Sequence, residues 1–319
     1  MKAVVWTRYG PPDVLQLQEI EKPMPKDDEV LVKVFAASIN SWDWELLKGR
    51  AQITLGGRLK PKYRILGCDV AGCVEDVGSR VNHLKPGDPV FGDLSGGKWG
   101  GFAEFVCAKA GALAQKSSMM SFEQAAAMPQ AAVLALKGLS VKGDLCRNKK
   151  VLINGAGGGV GTFAVQLAKS ADAVVTGVDR GEKLDMLLSI GADQVIDYEK
   201  EDFTRMGIKY DLIIDVVSNH SVFDYGRVLT PKGRCVIIGG SGRAAIGALL
   251  LGSWALGSRK VRLLLHKPDP AALINLNELF ESGKLKPVID RCYPLSEVPE
   301  AFRYYSKGHA KGKIVIMVK

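Results

Sequence analysis

The chain has 319 residues, 47% of them hydrophobic and 24% charged, which is longer than one hydrophobic core usually organises and excludes a disordered or low-complexity chain. The 36 Gly and 14 Pro follow no three-residue period, which excludes a collagen-like fibre. With 43 Lys and Arg against 34 Asp and Glu the formal charge is +9, but the basic residues are dispersed, so no nucleic-acid partner is expected.

Up to about residue 120 the pattern is β-rich, with strand-like runs at 4–6, 30–35, 70–77 and 102–106 separated by Gly and Pro, the texture of an antiparallel, partly closed sheet. Ser121 followed by Gln124 is a capping box that predicts an Ala-rich helix over 122–139. From residue 151 short apolar strands (151–153, 174–178, 195–196, 212–217, 236–238) alternate with helices (159–169, 183–190). Strands apolar on both faces and separated by helices mean a parallel sheet covered on both sides, hence an α/β fold. Beyond residue 265 come a helix at 271–282, a strand near Val288, a helix at 298–305 and a strand at 314–318 that is expected to rejoin the first domain. The expected division is 1–120, 121–264 and 265–319.

The longest weakly polar stretch, 244–257 with Trp254, falls short of the roughly 18 apolar residues a membrane span requires. It suits core or interface better than a membrane surface. The chain opens directly into a strand pattern without a charged-then-apolar leader, so a cytoplasmic location is expected. Six scattered cysteines (68, 73, 107, 146, 235, 292) fit reduced thiols. Cys68 and Cys73 lack a second pair to complete four ligands, so no structural metal is expected. Arg259, Lys260, Arg262 and Lys267 flank an apolar run and are read as the solvated edges of a strand.

The most informative segment is VLINGAGGGVG at 151–161, a buried strand entering a helix through glycines. Gly155, Gly157, Gly158 and Gly159 would let backbone N–H groups, with those of Ala156 and Val160, approach a pyrophosphate at the helix N-terminus, and Gly161 would let the helix pack closely on the sheet. An acidic residue about 20 positions on, Asp179 at the end of the next strand, completes a dinucleotide-binding pattern. Asp179 would accept from a ribose hydroxyl and repel the extra phosphate of NADP, whereas Arg180 and Lys183 could neutralise that phosphate, so these residues leave NAD(H) and NADP(H) open. His220, after the strand at 212–217, lies where ligands of parallel sheets bind, although a surface histidine is the commoner outcome.

SINSWD (38–43), ILGCDVAGCVEDVG (65–78), KPGDPV (85–90), GGFAEF (100–105), the glycine loop and GKIV (312–315) together make the chain resemble the medium-chain dehydrogenase/reductase superfamily, and within it the zinc-free quinone oxidoreductase branch. The resemblance implies a GroES-like catalytic domain made from both chain ends around a Rossmann domain, a ligand cleft between them, a small-molecule substrate and often a homodimer through the Rossmann sheet. It tips the cofactor toward NADP(H). It places Asn40 near nicotinamide and substrate, where its amide could donate to a developing oxyanion, although Asn40 could instead tie down a turn, and Asp43 reads as structural. It adds Tyr198, Val217, Gly239 and Gly240 to the cofactor contacts. Zinc-bearing relatives carry Cys where Asn40 stands, His-Glu where Cys68-Asp69 stand, and four Cys near residue 100 where 93–101 holds none, so metal-free chemistry is implied. A Thr usual in the helix facing the nicotinamide ribose is Leu134 here, and a Tyr two residues after Asp43 is Glu45. The resulting expectation is hydride transfer to a quinone or α,β-unsaturated carbonyl. A zinc-free alcohol or aldehyde dehydrogenase, or a nucleotide-binding regulatory protein with little turnover, stand as alternatives.

Overall fold

The computed structural model describes residues 1–50, 60–140, 146–238 and 260–318. They form two compact units, one of Met1–Val133, Lys267–Gly283 and Ile289–Lys319, the other of Leu134–His266 and Lys284–Val288.

In the first unit β1 (Lys2–Val5) pairs antiparallel with β2 (Gln16–Glu19). A larger sheet is made from β3 (Glu29–Ser38), β4 (Asp69–Val77), β5 (Pro89–Asp93), β6 (Phe105–Lys109) and β7 (Leu113–Gln115), with β14 (Ile289–Pro294) and β15 (Lys313–Met317) from the end of the chain. The order is β14-β15-β3-β4-β5-β7, with β6 also on β3. The end of the chain does rejoin the β-rich part, because β15 pairs antiparallel with the last residues of β3. The strand expected at 102–106 is shifted: Gly100 turns at φ +115°, Ala103 makes an isolated bridge to Ala3, and the strand proper begins at Phe105. Phe102 is instead fully buried in a core with Leu46, Leu47, Trp99 and Phe302. Helices α1 (Ser41–Leu47), α7 (Pro270–Glu281) and α8 (Val298–Ser306) belong to this unit.

The helix expected over 122–139 is two helices, α2 (Phe122–Ala126) and α3 (Pro129–Leu139). Proline lacks an N–H and its ring clashes with the preceding turn, so Pro129 ends the first helix and opens the second. The Ser121–Gln124 capping box is present, with bonds of 3.2 and 2.9 Å. The boundary between units falls inside α3 and not at 120/121, since the Asp69 carboxylate accepts the Gln130 N–H at 3.1 Å and ties the first turn of α3 to the first unit.

The second unit is a six-stranded, all-parallel sheet: β8 (Lys150–Asn154), β9 (Val174–Asp179), β10 (Gln194–Asp197), β11 (Tyr210–Asp215), β12 (Leu229–Ile237) and β13 (Lys260–Leu263). The spatial order β10-β9-β8-β11-β12-β13 is that of a doubly wound Rossmann sheet. It reverses between β8 and β11, the switch point at which such sheets bind ligands. Val151, Leu152 and Ile153 of the central β8 are completely buried, each contributing about 1.5–3 kcal/mol of hydrophobic stabilisation. Helices α4 (Gly159–Ser170), α5 (Leu184–Ser189) and α6 (Val222–Val228) connect the strands. Lys260 and Arg262 are exposed on β13 while Val261 is buried, the strand-edge pattern read from the sequence.

Candidate functional site

The first group of candidate residues lies at the carboxyl end of β8. Gly155 has φ +82°, which a side-chain-bearing residue rarely adopts, and it turns the chain out of the strand. The loop is closed from within. Gly155 and Ala156 both donate N–H to the Val178 carbonyl, Gly157 donates to Asp179 Oδ2 at 2.8 Å, and Gly158 donates to the Gly155 carbonyl. The amides of 155–158, expected to face a diphosphate, are therefore spent on the protein. What remains is the first turn of α4, where the N–H groups of Gly159, Val160 and Gly161 have no acceptor within the helix. At Gly161 a Cβ would stand 2.2 Å from the Gly155 carbonyl oxygen, so glycine is required for the helix to meet the loop. At Gly158 a Cβ would meet only the Gly155 oxygen at 3.5 Å. Nothing else lies within 4 Å of that Cβ position, and a bare backbone cradle with unspent amides fits a diphosphate.

At the ends of β9 and β10, Asp179 also accepts the Arg180 N–H at 2.9 Å and lies 3.4 Å from Lys183 Nζ. Both members of this ion pair are buried. Arg180 is paired with Glu199 at 3.1 Å and hydrogen-bonds Tyr198, which holds the guanidinium above its ordinary pKa. Tyr198 and Val217 are 48% and 44% exposed, accessible as a nucleotide contact requires. Gly239 and Gly240 lie outside the described residues, as does 244–257.

Beyond β11 the sequence reading missed a buried polar node. Asp215 accepts from the N–H groups of Val217 and Ser218, from Asn154 Nδ2 at 3.1 Å and from the Tyr225 hydroxyl. Burial raises its pKa despite those donors. It fixes the strand-end loop that carries Val217, and an acidic residue closing an apolar strand was its signal in the sequence. His220 packs edge-on against Phe203 at 4.8 Å, half-buried.

The second group lies in the first unit, where sheet register builds it. Ser38 at the end of β3 is opposite Asp69 at the start of β4, Asp69 is opposite Asp93, and Val315 of β15 is opposite Ser38. This register brings Lys313 beside Asn40. Lys313 Nζ donates to Asn40 Oδ1 at 2.5 Å and to the Ile39 carbonyl at 3.1 Å, and lies 3.8 Å from Asp69 Oδ2. Asn40 Nδ2 donates to Asp69 Oδ2 at 2.9 Å and to Cys68 Sγ at 3.4 Å, and Gln130 Nε2 reaches the same sulfur at 3.6 Å. Asp43 accepts the Asn40 and Gly67 N–H groups, both at 2.8 Å, and so caps α1, the structural role expected of it. Burial raises the Asp43 carboxyl to about 7 and pushes Asp69 and the Cys68 thiol upward as well, Lys313 opposing it for Asp69.

Cys68, Asp69 and Asp93 bring ligand-type atoms within 4.8 Å of one another. Asp93 was not singled out from the sequence. The donor set does not fit zinc, since Cys68 and Asp69 already accept N–H groups from Asn40 and Gln130, and an ammonium stands beside Asp69. Lys313 was also missed, although a lysine between Gly312 and an apolar strand was its visible trace. Leu134 is buried and Glu45 pairs with Arg50 at 3.5 Å. All six cysteines are free. Among the described residues no helix is long and apolar enough to cross a membrane.

A GroES-like β unit made from both chain ends, together with a doubly wound sheet carrying a glycine loop, defines the dehydrogenase/reductase class. The family model for the alcohol dehydrogenase GroES-like domain matches residues 26–118, and that for a zinc-binding dehydrogenase matches 190–316. The chain is 37% identical to the 2-methylene-furan-3-one reductase of Solanum lycopersicum, over 99% of this chain and 79% of that protein. It is 35% identical, with the same coverage, to a chloroplastic NADPH-dependent alkenal/one oxidoreductase of Arabidopsis thaliana. The quinone oxidoreductase structure from Coxiella burnetii superposes with a TM-score of 0.89 at 31% identity, covering 100% of this chain and 99% of that one. The chain belongs to the medium-chain dehydrogenase/reductase superfamily.

Proposed function

We propose that the protein is an NADPH-dependent, zinc-independent oxidoreductase that transfers hydride to a quinone or an α,β-unsaturated carbonyl. The observation that carries this reading is the glycine loop, whose first-turn amides at 159–161 have no acceptor within the helix, with Arg180 and Tyr198 directly following the ends of β9 and β10. Relatives named as alkenal/one, furanone and quinone reductases support the substrate class. When bound, the nicotinamide supplies the hydride. The α4 amides hold its diphosphate, and Arg180 with Tyr198 takes the 2′-phosphate, favouring NADP(H) over NAD(H). Gly239 and Gly240 complete the cofactor contacts in this proposal.

An activated carbon accepts hydride without a Lewis acid, so the protein's task is positioning and oxyanion stabilisation. Asn40 carries that second task. One of its amide hydrogens is held firmly by Asp69, but the other rests on a thiol, a weak acceptor, and is redirected to a substrate oxygen at small cost. The Lys313 ammonium on Asn40 Oδ1 polarises the amide and strengthens that donor. A homodimer completes the proposal, following the family resemblance.

The test is oxidation of NADPH and NADH against a panel of quinones, enones and aldehydes, with and without a metal chelator. Turnover of quinones or enones with NADPH, unchanged by chelation, is expected. Nucleotide binding without turnover on any acceptor points to the regulatory alternative, and chelator-sensitive turnover of aldehydes alone refutes the metal-free reading.

A further inference from the structure

In a doubly wound sheet the carboxylate ending the second strand is ordinarily read as the ribose acceptor that excludes a 2′-phosphate. In this chain it is engaged elsewhere. Asp179 Oδ2 accepts the Gly157 N–H, Oδ1 accepts the Arg180 N–H, and Lys183 Nζ lies 3.4 Å from Oδ1. Asp179 is 7% exposed and Lys183 5%. A carboxylate with an ammonium in contact at a buried position projects little net field onto a neighbouring phosphate. The pair is also packed into the loop, because a Cβ on Gly157 would stand 2.6 Å from Lys183 Cδ and 3.1 Å from Asp179 Oδ2. Gly155 and Ala156 are anchored on the Val178 carbonyl, and the Gly157–Asp179 bond is the last one that joins the loop to β9 before α4 begins, since Gly158 bonds only back to Gly155 within the loop.

We propose that Asp179, locked by Lys183, is a positioning residue that fixes the glycine loop through Gly157, and that it does not set the choice between the two cofactors. This rests on the reading that the loop holds a nicotinamide dinucleotide. Losing the tether lets the loop move and misaims the amides of 159–161, which meet the diphosphate common to both cofactors. Loss of affinity is therefore shared between them.

The experiment compares the wild type with Asp179→Ala, Asp179→Asn and the double variant Asp179→Asn/Lys183→Gln, all as full-length chains. Dissociation constants for NADPH and NADH are measured by titration, and backbone hydrogen exchange over 155–158 is measured without nucleotide. Asp179→Ala is expected to weaken both cofactors by a common factor of about ten, the scale of one charge-assisted hydrogen bond, and to speed exchange in the loop. The double variant keeps an acceptor for the Gly157 N–H and a neutral partner beside it. It is expected to recover most of the affinity that Asp179→Asn, in which the Lys183 ammonium faces a neutral amide, does not. A gain for NADPH with a loss for NADH on Asp179→Ala overturns the proposal, as does unchanged exchange. If the wild type binds neither nucleotide, the cofactor reading fails by itself, and the exchange result alone decides whether Asp179 tethers the loop.

Discussion

Two alanine substitutions three residues apart separate the packing role of the glycine loop from its binding role. A Cβ on Gly161 would stand 2.2 Å from the Gly155 oxygen and 2.5 Å from the Ala156 Cα and oxygen, all backbone atoms that no rotamer change can move. Ordinary contact begins near 3.4 Å, so the loop would have to retreat by about 1 Å. Overpacking costs about 1–3 kcal/mol, and the retreat strains the bonds from Gly155 and Ala156 to Val178, each about 1 kcal/mol. A loss of about 3 kcal/mol is expected for Gly161→Ala. Gly158 differs, since its φ of −88° and ψ of −177° are extended backbone that alanine adopts, and its nearest neighbour is at 3.5 Å. Alanine there also restricts the unfolded chain, a gain of about 0.4–1 kcal/mol. Gly158→Ala should therefore fold with at least wild-type stability while its methyl group intrudes on the diphosphate and weakens nucleotide binding about tenfold or more. Urea denaturation followed by circular dichroism, paired with nucleotide titration, reads both effects. Wild-type stability for Gly161→Ala, or a Gly158→Ala variant destabilised by more than about 1 kcal/mol with unchanged affinity, would refute the geometric argument.

Two further expectations concern the buried polar cluster of the first unit. The folded pKa of Asp43 is raised to about 7, so the native state holds a proton that the unfolded chain releases above the ordinary carboxylate range. The associated stability is fully present below pH ~4 and lost as pH rises through 7, which amounts to about 2–3 kcal/mol between pH 5 and 8. Urea midpoints across that range should decline for the wild type and decline less for Asp43→Asn; parallel slopes would exclude Asp43 as the cause. Lys313→Met leaves the buried Asp69 carboxylate without its ammonium and should cost about 3–5 kcal/mol at pH 8. The penalty should shrink at pH 5, because a raised pKa lets Asp69 take up a proton instead. Equal penalties at both pH values would show that lost packing, not charge, is responsible.

Much of this architecture was legible because it is encoded locally. The short apolar strands alternating with helices from residue 151 onward admit only a covered parallel sheet, and the structure has one. The box at Ser121 and Gln124 starts a helix because both partners lie within one turn. The error inside that helix was local as well, since Pro129 carried the break and the Ala-rich texture masked it. The departures from zinc ligation at Asn40, Cys68 and Asp69 were visible as residue types alone.

What side chains do with their charges was decided elsewhere. Lys313 reads as one more basic residue until strand register carries it across 273 positions to Asn40, where burial turns an ordinary ammonium into a fixed internal cation. The sequence put Asp179 at the end of the second strand of the parallel sheet, but one carboxylate oxygen turns back to the Gly157 amide of the loop while Lys183 stands against the other. Periodicity and glycine placement determine backbone course, since both act over a few residues. The partner that a buried charge meets is a property of the packed molecule, because desolvation makes an unpaired charge too costly to keep and the compensating group can come from any part of the chain.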